Sequence, residues 1–458
     1  MHAQPTPPAV DALRQRLHAA GVHSLLVQFT DIHGCAKGKL VPLAALGAVL
    51  EVGAGFSGPS IWGTGLPRSG PRSEYCARGD AGTAQPLPWL PGVARIVGEG
   101  WVDGRAFDAC PRQVLRRATA ALAARGWRLE VGIEPEFFLL RRGADGGYAP
   151  LDALDRLAKP SYDLGSLLRA HPLLDELRTW LVACGFEVCQ IDHEDAHGQY
   201  ELNYAHAEAL ASADRLMLFK LAARAAAEKH GAVFSLMPKP FADQPGSGLH
   251  LHVSLWADRR NLFEPAPGAD ATATPSLSAL GAQFMAGVLA HTPALCALAA
   301  PTVNSYKRLG ARGSISGTAW APLRAAHGPN NRTALIRTLP GRFEWRLPDA
   351  SANPYLALAA LIAAGLDGVD RGLQAPPACT DDLEAQAEAE VEVNASLPWP
   401  RLPADLERAV EALEADAVVA AALGPTLCAE FARLKRAEAA EAARQVTPWE
   451  LARYAEAF

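Results

Sequence analysis

No Cys-x-x-Cys pair occurs in this 458-residue chain, and its eight cysteines are scattered from Cys35 to Cys428. That spacing argues against a structural zinc site or a disulfide framework and fits reduced thiols in a cytoplasmic protein. There is no long basic run and the net charge is −6, which speaks against nucleic acid and anionic membranes as partners. The longest apolar run, Tyr355 to Leu366, is too short to span a bilayer. The first residues, Met1 to Pro8, lack the charged and apolar regions of a signal peptide. Neither a Walker A loop nor a GxGxxG fingerprint is present, so a nucleotide would not be held in a P-loop or Rossmann manner. No internal repeat is found. A hydrophobic share of 49% and a charged share of 20% are those of an ordinary globular chain, and the length suits two or three domains.

What is present begins with Val131 to Leu140, a strand-like run carrying Glu134 and Glu136. Alternate residues of a strand share a face, so these two carboxylates lie together, opposite Ile133, Phe137 and Leu139. Two carboxylates desolvated side by side are costly unless a cation accompanies them. Alone, the run also fits a half-exposed strand with a solvated acidic edge. The same alternation recurs in Leu249 to Leu255, with His250, His252 and Ser254 on one face, and in Arg342 to Leu347, with Arg342, Glu344 and Arg346. Asp192 to Glu201 adds Glu194 and Glu201 around a Gly198 turn. Together the four segments predict one charged cavity lined by a curved sheet.

Five carboxylates with one or two imidazoles form a hard donor set that favours Mg²⁺ or Mn²⁺ over zinc. Residues 301–341 read as a long polar loop region with Lys307, Arg308, Arg312, Arg324, Arg332 and Arg337, and Arg342 just beyond. Guanidinium forks suit phosphate and carboxylate. Carboxylate-held divalent ions beside arginines are what phosphoryl transfer from a nucleotide requires.

Around these segments, helices are predicted over 10–20, 111–125, 174–184, 208–230 and 276–299, and from the Asn353 cap through Ala364. Strands are predicted over 24–31 and 36–41, and Phe234 to Pro240 as a strand entering a loop. The Gly- and Pro-rich stretch 42–105 has no clear elements; 54–64 and 67–71 read as loops. Beyond residue 370 the chain reads as Ala/Glu-rich helices with a solvated charged face. The simplest division is a small, mostly β domain over 1–106 and a larger one over 107–458.

In combination these motifs resemble the glutamine synthetase family, from about residue 24 to 366. They are Phe29-Thr-Asp31, Gly132-Ile-Glu-Pro-Glu-Phe137, His193-Glu194 with Gly198-Gln-Tyr-Glu201, Met237-Pro-Lys-Pro240 and Gly246-Ser-Gly-Leu-His-Leu-His252. Asn304-Ser-Tyr-Lys-Arg-Leu309, Asn331-Arg332, Ile336-Arg337, Arg342-Phe-Glu-Trp-Arg346 and Asn353-Pro-Tyr-Leu356 follow. The resemblance implies an α+β chain: a β-grasp N-terminal domain, then a half-barrel of antiparallel strands backed by helices. It implies a ring-stacked homo-oligomer, a dodecamer, with each site completed by Asp31 of a neighbour. It also implies two or three Mg²⁺ or Mn²⁺ ions per site and ATP, L-glutamate and ammonia or a small primary amine as substrates.

Carried over by position, Glu136, Glu194 and Glu201 would hold one metal, and Glu134, His250 and Glu344 another. His252, Ser254, Arg332, Arg337 and Arg342 would address the nucleotide. Arg308 and Arg346 would grip glutamate and its γ-phosphoryl form, with Gly246, His250 and Ser314 beside the substrate and Asp31, Arg308 and Arg332 in the chemistry. Three departures stand out. The flap glutamate of ammonium-using members, six residues after the Arg308 position, is Ser314 here; the Asn-Gly pair before the His strand is Pro245-Gly246; and Asn394 to Pro398 lacks the tyrosine that is adenylylated in many bacterial members. With Trp320 nearby, the first leaves room for an alkyl group; the runs Ile315 to Pro322, Asp192 to Gln199 and Gly53 to Phe56 resemble the γ-glutamylmethylamide synthetase branch. The rivals are glutamine synthetase proper, a guanidino-kinase-like phosphotransferase and an inactive scaffold. The last two fit poorly with the Asp31 and Asn304–Leu309 motifs and the full ligand set.

Overall fold

Two antiparallel-rich sheets organise the computed structural model, which describes residues 6–144, 146–265, 277–311, 313–385 and 397–458. In the first, strands Ser24–Thr30 and Ala36–Pro42 form a hairpin, and Ser24–Thr30 runs parallel to Val93–Val102. The hairpin turn is built locally. Asp31 Oδ1 accepts the backbone N–H of His33 (3.0 Å) and Cys35 (2.9 Å), and Gly34 takes φ +80°, where a side chain would be strained. The stretch 54–64, expected as loop, contains the strand Ala54–Ser57 paired with Glu74–Gly79. Pairing partners impose it, because Ala-Gly-Phe-Ser offers no alternation of its own.

The second sheet is centred on Arg128–Arg142. Leu249–Ala257 pairs along one side and Gln199–Tyr204 along the other, both antiparallel, with Val188–His193 beyond the latter. Past Leu249–Ala257 lie Arg342–Trp345, Ile336–Leu339 and, in parallel, His327–Pro329. The region 301–341 is therefore not one long loop. It holds two of these strands and the helix Ser305–Leu309, which were hidden because their residues are polar and each element is short.

One face of this sheet is core: Leu129, Val131, Ile133, Phe137, Leu251, Val253, Phe343 and Trp345 are all buried. Fully burying each such side chain contributes about 1.5–3 kcal/mol, which is what can offset the cost of charges on the other face. Helices Leu164–Ala183 and Ala209–Lys229 back the sheet, and Pro354–Asp370 packs against Ala209–Lys229. Leu164–Ala183 starts ten residues before its expected start at 174, capped by Asp163 Oδ2 on Ser166 N (2.7 Å); Gly165 and Pro172 masked the pattern. Expected as one helix, 276–299 is two, Ala279–Ala290 and Thr292–Ala299, bent by 74°. Pro293 cannot continue a helix interior, so the second helix starts there. Pro354–Asp370 opens on the predicted Asn353 cap and runs six residues past Ala364. All eight cysteines are free thiols. Among the described residues no single helix is long and apolar enough to cross a membrane. Arg312 and most of Asn394 to Pro398 lie outside the described residues.

Candidate active site

Strand register assembles the site. Asp192 opposes Glu201, Glu201 opposes Glu136, Glu134 opposes His250, and His252 opposes Glu344, which opposes Arg337. Because directly opposed residues share a face and i, i+2 residues do too, one polar face runs across six strands. Glu136 is 7% exposed, Glu201 8% and Glu344 1%, which rules out a solvated acidic edge.

These residues line a cavity of about 520 Å³. Seven carboxylates line it (Glu134, Glu136, Asp192, Glu194, Asp195, Glu201, Glu344) against four guanidiniums (Arg332, Arg337, Arg342, Arg346). Glu344 is the compensated acid: burial alone would raise its pKa, but Arg346 and His250 hold it down to about 2. Arg346 Nη1 and Arg337 Nη1 donate to it at 2.5 and 2.9 Å. Glu136, Asp192, Glu194 and Glu201 lack such compensation. Burial, then the Glu136 charge, pushes Glu194 well above the usual carboxylate range; burial, then Glu194, does the same to Glu201. Burial also raises Glu136 and Asp192 and drives the His250 imidazole well below its usual value. A chain that buries uncompensated acids together is shaped for an external cation.

Three donor groups have ligand atoms within 4.8 Å of one another: Glu134–Glu201–His250, Glu134–His252–Glu344 and Asp192–Glu194–Glu201. Oxygen-rich sets with an occasional imidazole fit Mg²⁺ or Mn²⁺. The grouping differs from the expected pairing by adding His252 (Nε2 3.0 Å from Glu134 Oε1) and Asp192. In the described arrangement Glu136 instead accepts Gln199 Nε2 (2.8 Å) and Gly248 N (2.7 Å). Buried His193, bonded to Asp155 Oδ2 (2.7 Å), which also accepts Gly198 N (2.6 Å), fixes the turn that carries Glu194 and Glu201.

A second cavity of about 530 Å³ adjoins the first through Glu134, Gln190, His252 and Arg342, and adds Ser254, Trp256 and His206. Gly246 lines the acidic cavity and is fixed there by space: a Cβ would lie 2.6 Å from Pro238 O and 2.8 Å from Arg308 Cγ. Three expected residues lie elsewhere. Arg308 is packed behind Gly246 and Gly248, its guanidinium on the carbonyls of Leu347 (3.0 Å) and Arg346 (3.2 Å). The Ser314 hydroxyl turns into its own loop, onto Thr318 O (2.6 Å). Within one chain Asp31 sits in the first sheet's turn, 3.6 Å from Lys37 Nζ, and lines neither cavity. Sequence reasoning missed Asp192 and Asp195 as site residues; Asp195 directly follows Glu194 in the turn and Asp192 stands two residues before it on the strand, in a segment already singled out.

Hard oxygen donors and guanidiniums side by side in one cavity define an enzyme class that handles phosphate through divalent metals. The chain belongs to the glutamine synthetase family: residues 108–454 match the model of the family described as "Glutamine synthetase, catalytic domain". Among characterised relatives it is 44% identical over 445 residues to the glutamate–methylamine ligase of Methyloversatilis universalis, covering 97% of this chain and 99% of that one. It is 38% identical over 428 residues to a glutamine synthetase of Rhizobium leguminosarum bv. phaseoli, covering 93% and 94%. Among solved structures it is similar to a GmaS–ADP complex (TM-score 0.88, 38% identity, 97% and 99% covered) and to ligand-free GmaS (TM-score 0.87, 37% identity, same coverage).

Proposed function

We propose that this chain is an ATP-dependent ligase that joins the γ-carboxyl group of L-glutamate to a small primary amine, methylamine-like in preference to ammonia. The observation that carries the acceptor is the loop 313–320. It brings no carboxylate of its own to the cavity, and the Trp320 side chain lines the wall instead. The similarity to a glutamate–methylamine ligase supports the same acceptor.

In this reading the second cavity takes the nucleotide, with His252, Ser254 and Arg342 beside it, and Arg332 and Arg337 point at its phosphates. Glu134, Glu136, Glu194, Glu201, His250 and Glu344, joined by Asp192 and His252, hold two or three Mg²⁺ or Mn²⁺ ions. Bound there, the metals neutralise and align the phosphates. Glutamate lies along Gly246 and Arg346, with Arg308 supporting them from behind. Its γ-carboxylate attacks the terminal phosphorus and ADP leaves. The amine, after losing a proton, attacks the γ-carbonyl of γ-glutamyl phosphate; phosphate leaves and a second proton departs from nitrogen. Asp31 of a neighbouring subunit in a ring-stacked homo-oligomer receives the first proton, help typically worth roughly 10²–10⁴ in rate. The division near residue 106 separates the part carrying Asp31 from the part carrying the cavity. ADP release measured over ammonium, methylamine, ethylamine, putrescine and aniline at matched free-base concentrations tests the reading. The expected result is a higher kcat/KM for methylamine; a preference for ammonium overturns it in favour of glutamine synthetase proper.

A further inference from the structure

Asp195 follows Glu194 in the turn between two site strands, and it is only 6% exposed. Its Oδ1 accepts Ser161 Oγ at 2.8 Å. Its Oδ2 accepts Trp320 Nε1 at 2.7 Å and the hydroxyls of Ser316 and Thr318, the last at 3.4 Å. Three donors from one five-residue stretch of loop therefore converge on a single carboxylate oxygen. A buried carboxylate that relies on neutral donors loses much of its stabilisation when they leave, so carboxylate and loop favour the closed arrangement together.

Trp320 has φ +57°, a left-handed conformation unfavourable for a bulky residue. The surroundings must hold it there. Ile315 N donates to Asp243 O at 2.9 Å at one end of the loop, Ala319 N donates to Glu384 at the other, and Trp320 O faces Arg346 Nη2 at 3.4 Å. The loop is thus tied to the acidic cavity twice, through the peptide neighbour of Glu194 and through the arginine that also binds Glu344.

We infer that Asp195 is a positioning residue, a latch that keeps the loop 313–320 closed and aims Trp320 as the wall against which the acceptor amine's alkyl group packs. The inference rests on the amine-ligase reading and adds to it the residue that sets acceptor selectivity and keeps water from the acyl phosphate. Its variants are Asp195→Asn, which places an NH₂ where the donors converge, and Trp320→Phe, which removes the N–H and keeps an aromatic ring. In the assembled enzyme with Mg²⁺, ATP and glutamate, Asp195→Asn should raise amine-independent ADP release relative to amine-dependent turnover about tenfold. The KM for methylamine should rise by a similar factor while that for ATP stays within about twofold. Trp320→Phe should reproduce part of this, and the double variant should be no worse than Asp195→Asn, because both cut the same bond.

Should Asp195→Asn not fold, Trp320→Phe and Ser316→Ala, which alter the loop side of the same contacts, carry the test with the same readouts. Unchanged coupling and methylamine KM in these variants would overturn the latch. So would an equal fall in kcat for every amine with coupling intact, which would assign Asp195 to the Glu194 cluster. Failure of the wild type to make any γ-glutamyl amide would instead sink the amine-ligase reading itself.

Discussion

Two clusters of buried charge in this chain behave in opposite ways. Around Arg112, itself 3% exposed, Asp214 accepts at 3.0 and 2.7 Å and Asp80 at 3.0 Å, with Glu99 also in contact. Arg116 bridges to Glu99 and Asp80, and Tyr355 Oη donates to Asp214 at 2.7 Å. Burial would lower the Arg112 pKa, yet Asp214 and Glu99 drive it well above normal; Asp80, which burial would raise, is pulled down by Arg112. The acidic cavity is equally withdrawn from water, but there Glu194 and Glu201 are pushed the other way by burial and by their neighbours. In one cluster every acid is paired with an arginine, and it belongs to the architecture, joining the first sheet to helices behind the second. The other is left unbalanced on purpose of function, and its balance has to arrive from outside.

The sharpest way to break this contrast is to remove one charge from each side. Glu136→Gln or Glu344→Gln should lower turnover by at least about 10³-fold at saturating metal, since the metals supply several kcal/mol of transition-state stabilisation. Near-normal turnover in Glu136→Gln would refute the assignment of its strand. Arg112→Met should instead act on stability, costing about 3–5 kcal/mol in denaturant unfolding because buried Asp214 is left without its arginine and Asp80 and Glu99 keep only Arg116. Glu201→Gln without metal should be neutral or stabilising, the opposite sign for the same kind of charge deletion.

The two clusters also differ in how far the sequence disclosed them. The acidic face was legible because strand alternation writes it locally: Glu134 and Glu136, His250 and His252, Glu344 and Arg346 each stand two apart. The Arg112 cluster was not, since Glu99, Arg112 and Asp214 are isolated charges on three separate elements and Asp80 lies in a turn, and they meet only in three dimensions. Asp195 went unread for a related reason, as three of its donors, Ser316, Thr318 and Trp320, lie more than a hundred residues away. The short strands of residues 42–105 are set by their partners rather than by their own composition. The resemblance supplied the role proposed for Asp31, which no local pattern carries.

A smaller effect follows from pH. Glu194 and Glu201 have folded-state pKa values above their unfolded ones, so their contribution to the metal-free chain is complete below the ordinary carboxylate range. It is lost as pH rises through the raised values. In EDTA the Tm should therefore fall with rising pH across that window, and metal binding should release protons, both readable by calorimetry. The smallest effect concerns the acceptor. Ser314→Glu should shift selectivity towards ammonium by a few-fold, mainly by restoring a charge contact to the cation, as read from the ratio of kcat/KM values.

The most direct test of the central claim, that this cavity is charged so as to receive divalent cations, is the Tm of wild type and Glu201→Gln with Mg²⁺ or Mn²⁺ and with EDTA. The account predicts that metal raises the wild-type Tm by several degrees, as a ligand bound well above its Kd must. It predicts that the variant loses most of that increment while matching or exceeding the wild type in EDTA. A wild-type Tm indifferent to metal, or a variant less stable than wild type in EDTA, would contradict it.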